Sequence, residues 1–234
     1  MKDEPVLQRL RRSFANAAGT IVFGMEDGTV SIFGLIFGVA ATTSNAATVL
    51  IAGASGAVAA AVSMMAGAFL DVETTRDEMK AKRAALESTL SADPAAIAAA
   101  LPGQLTAAGL SQQQSAALTG AVMQNRDARD GLLLALHGSP EAPPNPWEQA
   151  LWMLLADFAA AAVPILPFVF LPVAQARYVS AAVTIALLVA LGVGRGRIAG
   201  HNIARTVVET VSIGIAAALA GVAIGVLINR SFTG

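Results

Sequence analysis

Residues 24–38, GMEDGTVSIFGLIFG, place two acids, Glu26 and Asp27, one turn inside an otherwise apolar run. Without them, residues 21–41 read as a membrane span, because about 20 mostly apolar residues cross a bilayer as a helix. A carboxylate in that setting costs roughly 2.5 to 3.5 kcal/mol on insertion scales, so it is kept for a partner or for a task. The rest of the chain has to supply one or the other.

The composition belongs to a membrane protein. Of 234 residues, 55% are hydrophobic and 13% charged, against about 25% charged in soluble domains. The net charge of −1 provides no basic field for nucleic acid. Cysteine is absent, which excludes disulfides, zinc-thiolate sites and iron-sulfur ligation. Metal ligands must therefore come from Asp, Glu, Met, His or backbone carbonyls. No nucleophile with a base, no phosphate-binding glycine loop and no metalloprotease spacing argues for an enzyme.

Five windows are long and apolar enough to span: 21–41, 48–70, 150–171, 173–193 and 206–227. The fold class expected is an all-α membrane protein of five transmembrane helices, with a helical insert between the second and third. The domains follow: 1–20 an N-terminal segment, 21–70 two spans, 71–146 the insert, 147–228 three spans and 229–234 a tail. Leu7, Leu10, Phe14 and Ala17 recur at helical spacing opposite Arg9, Arg11 and Arg12, which suits an interfacial helix or an ordinary solvated leader, and no cleavable signal is evident. The insert predicts three helices: a continuation of the second span, a restart at DPAAIAAAL, and a third over 111–138. Lys2, Arg9, Arg11, Arg12, the basic insert, Arg195, Arg197 and Arg205 gather on one side, so that side is expected to be cytoplasmic and the C-terminus outside.

Small residues recur through the spans. Gly24, Asp27, Ser31, Gly34 and Gly38 form one predicted face of the first span; Gly53, Gly56, Ala60, Ser63 and Gly67 form one in the second; the fifth adds Gly221 and Gly225. Such faces let helices approach closely. They predict a tight bundle.

Asp27 lies on the small-residue face. In the second span Met64, Ala68 and Asp71 share a face about 10 Å long. A thioether beside carboxylates suits a borderline transition metal better than magnesium or calcium, although methionine is also ordinary core filler. Glu209, one turn after Arg205, reads as an ion pair. Asp157 has no partner within a turn and is a second candidate for a proton or ion path. His137 and His201 fall outside the spans.

GMEDGTVSIFGLIFGVA, VSMMAGAFL, PILPFVF and GRGRIAGHNIARTVVETVSIG together resemble, in order and spacing, the vacuolar iron transporter family. The resemblance implies export of Fe(II) or Mn(II) from the cytoplasm in exchange for protons, by a homodimer whose pathway runs between the two first spans; together with the small-residue face of the first span it predicts a dimer contact at Gly34 and Gly38. It also implies a bacterial inner membrane or a vacuole-like membrane, membrane lipid and a divalent ion as partners, and no permanently bound cofactor. Asp27 and Met64 match its pathway aspartate and methionine. Glu73, Glu78 and Glu87 fall where the family's insert gathers metal, and Glu26 and Asp71 would draw cations to the cytoplasmic mouth.

The chain departs from the family pattern in three places. Ala68 and Gly56 stand where relatives carry acids, and residues 95–120 of the insert hold none. The insert is therefore expected to bind metal weakly or not at all. The alternative to a transporter is a membrane scaffold or regulatory protein that kept the bundle.

Overall fold

The computed structural model describes residues 6–92, 94–125, 132 and 144–233, without the side chains of 83, 86, 87, 89–92, 94–98 and 233. Lys2, Arg126, Arg129, His137, most of the SPEAPPNP break and the side chains of Arg83 and Glu87 lie outside that set. The described residues form helices with no strand among them. The chain divides into two compact units, Met1–Leu70 with Pro144–Gly234, and Asp71–Pro143.

Helix α1 is Val6–Asn16, α2 Ala18–Ala40, α3 Ala46–Ala92, α4 Pro94–Ala107 and α5 Gln112–Met123. Helices α6 Pro146–Ile165, α7 Pro167–Phe170, α8 Val173–Ala199 and α9 Ile203–Thr233 complete the order. Five of them, α2, α3, α6, α8 and α9, are long and apolar enough to cross a membrane. The third span ends earlier than expected, at Ile165. Pro164 and Pro167 each lack a backbone donor, so the ladder cannot run through them. Ser180 of α8 donates to the Pro164 carbonyl at 2.8 Å and satisfies the break.

Local signals fix most boundaries. Asn145 accepts from the Trp147 N–H at 3.1 Å, with Pro146 in the first turn of α6. Asn45 opens α3 by accepting from Ala47 N–H at 2.9 Å. Gly200, at φ 65°, ends α8 in the left-handed region that glycine tolerates, and Asn202 caps α9 through the Arg205 N–H at 3.3 Å.

Helix α2 is the centre of its unit, packed against α6, α8 and α9. Its glycines do not share one neighbour. A Cβ at Gly24 would lie 2.8 Å from the Met153 sulfur on α6, whereas Cβ atoms at Gly34 and Gly38 would lie 2.9 and 2.6 Å from the Ala217 and Gly221 carbonyl oxygens on α9. Ser31 is exposed. The single predicted face is thus split between two partners: α6 meets the first half of α2 and α9 the second. The expected dimer contact at Gly34 and Gly38 is corrected too, because Gly221 and Gly225 of the same chain fill it. Below this seam Ile32, Ile36, Val49, Ala161 and Phe168 form a buried apolar cluster.

In the second unit α4 and α5 pack on each other, burying Leu101, Leu105 and Val122. Ser111 and Gln114 form a reciprocal cap at the start of α5. The third insert helix stops at Met123 rather than running on to 138; residues 126–131 and 133–138 lie outside the described set.

Candidate metal pathway on the first span

Successive helical residues point about 100° apart, and Glu26 and Asp27 have correspondingly different surroundings. Both line a cavity of about 510 Å³ whose other walls include Val22, Phe23, Val30, Ile198 and Ile213, with Arg195 as its third charged group. Glu26 is held: its Oε1 accepts from Arg195 Nη1 at 3.3 Å and from Thr210 Oγ1 at 3.0 Å. Only 14% of its side chain is exposed. No ion pair among the described residues includes Asp27, which is half-buried.

Gly28, next along, brings α6 against the same turn of α2. A Cβ there would collide with the backbone of Asp157. Asp157 is fully buried, and among the described residues neither of its carboxylate oxygens has a hydrogen-bond partner. Thr184 Oγ1 on α8 is likewise buried and unpartnered. Asp27, which opens on the cavity, is thus next in sequence to the glycine against which the helix of the buried Asp157 packs.

The remaining predicted ligands are arranged differently. Met64 is half-buried on α3 and does not line the cavity. Asp71 is exposed and begins the second unit. Glu73 and Glu78 face Arg76 and Lys82 of their own helix at 3.8 and 3.9 Å. Among the described residues no group of three His, Cys, Asp or Glu converges as a metal site. Glu209 takes the Nε hydrogen of Arg205 at 2.9 Å, the ion pair that their spacing predicts.

The family model for the VIT family matches residues 18–226, from the start of α2 nearly to the end of α9. The chain belongs to the VIT family. A vacuolar iron transporter of Centaurea cyanus is 26% identical over 166 residues, covering 70% of this chain and 67% of that protein. In this member of the VIT family, a multi-pass integral membrane protein, the clamp on Glu26 escaped sequence reading. Arg195 entered the sequence argument only as a topological charge, and it is separated from Glu26 by 169 positions. Thr210 carried no signal at all, being one of several hydroxyls in an apolar helix.

Proposed function

We propose that the chain moves a divalent transition metal, Fe(II) or Mn(II), out of the cytoplasm in exchange for protons, with Asp27 as the exchanging group. The observation that carries this is Asp27 itself: a carboxylate with no ion pair among the described residues, opening on a largely apolar cavity in the first span of a VIT-family chain. Metal binding requires the deprotonated carboxylate, so a proton and a metal compete for the same oxygens. The iron named for the Centaurea cyanus relative supports the choice of cargo.

Among the described residues one protomer brings no three His, Cys, Asp or Glu side chains together around a cation. A homodimer that faces two first spans across one pathway doubles the carboxylates, and Met64 then adds a sulfur that favours transition metals over magnesium. Ala54, Ser55, Ala59, Ser63 and Gly67 leave a small-residue surface exposed on α3, where a second copy or lipid can approach closely. The basic-residue asymmetry supports a cytoplasmic insert.

The absence of a converging three-ligand group among the described residues favours a second reading, a membrane scaffold that does not transport. Purified protein in proteoliposomes, offered Fe(II), Mn(II), Co(II) or Zn(II) under an imposed pH gradient, separates the two. Uptake that follows the gradient supports exchange; uptake of none of the ions selects the scaffold.

A further inference from the structure

We propose that Arg195 is a tethered counter-ion of the Asp27 cavity, which keeps the site weak enough to release its metal; this rests on Asp27 being the metal site. Among the described residues the cavity wall carries three charged side chains, Glu26, Asp27 and Arg195. With its carboxylates ionised, the cavity has a formal charge of −1 with Arg195 present and −2 without it. The guanidinium is anchored in the wall of the cavity that Asp27 also lines by Glu26, whose Oε1 takes hydrogen bonds from Arg195 at 3.3 Å and Thr210 at 3.0 Å. Arg195 remains 43% exposed while Glu26 is almost covered, so the positive charge is presented to the cavity while its partner is fixed in the wall.

A divalent ion feels each of these charges twice over. Two uncompensated carboxylates in a site walled largely by apolar side chains would hold it as a trap, whereas transport needs binding strong enough to load and weak enough to unload. Arg195 sets that balance without leaving the wall. Glu26 accordingly serves as the anchor of the counter-ion, and the metal is left to Asp27.

The distinguishing expectation is that affinity follows the charge of the cavity and not the identity of any one side chain. Mn(II) binding to the full-length protein in detergent is measured by titration calorimetry, with thermal unfolding as the check on folding. Arg195→Gln takes the charge from −1 to −2 and should tighten Mn(II) binding on the order of tenfold while slowing uptake in proteoliposomes. Glu26→Gln brings the cavity to zero, leaves the guanidinium free to turn on Asp27, and should weaken binding by at least about tenfold. The double variant Glu26→Gln/Arg195→Gln returns the charge to −1 and should bind within about threefold of the unsubstituted protein, as should Arg195→Lys.

A merely structural clamp would give weaker or unchanged binding in Arg195→Gln, and either result overturns the proposal. If Arg195→Gln does not fold, the double variant decides alone: affinity as poor as that of Glu26→Gln overturns the counter-ion. Mn(II) binding that survives Asp27→Asn overturns the site on which the proposal rests. Absence of binding in the unsubstituted protein overturns both.

Discussion

Gly28 on the first span and Asp157 on the third are in backbone contact: the space a Cβ would occupy at Gly28 is filled by the peptide of Asp157. This crossing holds the helix that carries Asp27 against the helix that carries a sealed carboxylate. Gly28→Ala must push α6 away, and overpacking of a close contact costs about 1 to 3 kcal/mol. At roughly 2 to 4 °C per kcal/mol for a chain of this size, the expected result is a Tm several degrees lower in detergent. An unchanged Tm would show that the two helices can separate at no cost.

The opposite sign is expected for Asp157→Asn. A buried carboxylate without a hydrogen-bond partner is expensive in its ionised form, and an amide of the same shape removes the charge. Thermal unfolding should match or exceed that of the unsubstituted protein. A large fall in Tm would mean that the carboxylate is bonded to a group such as an ordered water, and that its burial is satisfied after all.

How far the sequence reached follows from the range of each signal. The spans were legible because each is a continuous apolar run, and Asn45, Gly200 and Asn202 end or begin helices through contacts a few residues away. Asp27 and Asp157 could be singled out because an acid stands out against Leu, Ile and Ala. Which neighbours they meet was not legible. Glycine spacing shows that something comes close but not what, and so Gly34 and Gly38 suggested a second copy of the chain where the structure places Ala217 and Gly221. The Arg195–Glu26–Thr210 clamp joins α2 to α8 and α9 across 169 and 184 positions, and no local pattern encodes it.

The glycine seam between α2 and α9 yields a prediction that separates the two interpretations. Gly38→Leu places a branched side chain where even a Cβ would be 2.6 Å from the Gly221 carbonyl oxygen. It should unfold or grossly loosen the protomer, seen as protease sensitivity and loss of the cooperative thermal transition. A variant that keeps its Tm and only falls from dimer to monomer in native mass spectrometry would restore the seam to a dimer interface.

In the insert, Glu73 and Glu78 are each drawn to a basic side chain on the same helix, and exposed pairs of this kind contribute little to stability. Hard and borderline cations need several oxygens converging on one point, which these acids do not provide among the described residues. Glu73→Gln with Glu78→Gln in the full chain should therefore leave the calorimetric affinity for Mn(II) within about threefold of the original. A loss of tenfold or more would establish the insert as a genuine collecting site.

Asp27→Asn tests the exchange directly. The amide keeps the shape and much of the hydrogen-bonding capacity of the carboxylate while removing its titration, and no ion pair among the described residues is broken by the change. Because the metal needs the deprotonated oxygens, metal uptake and its dependence on the imposed pH gradient should disappear together. Stability should hold or rise, since a charge within a span has been neutralised. The controls are Asp157→Asn and Asp27→Glu: the first leaves the cavity carboxylate in place, and the second restores a titratable oxygen one methylene further out, with uptake that is reduced but still sensitive to pH. Uptake by Asp27→Asn that still follows the gradient would move the exchange site elsewhere, with Asp157 the next residue to examine. An Asp27→Asn protein that cannot fold would make Asp27 a structural residue, and with it the cavity would lose its claim to carry metal.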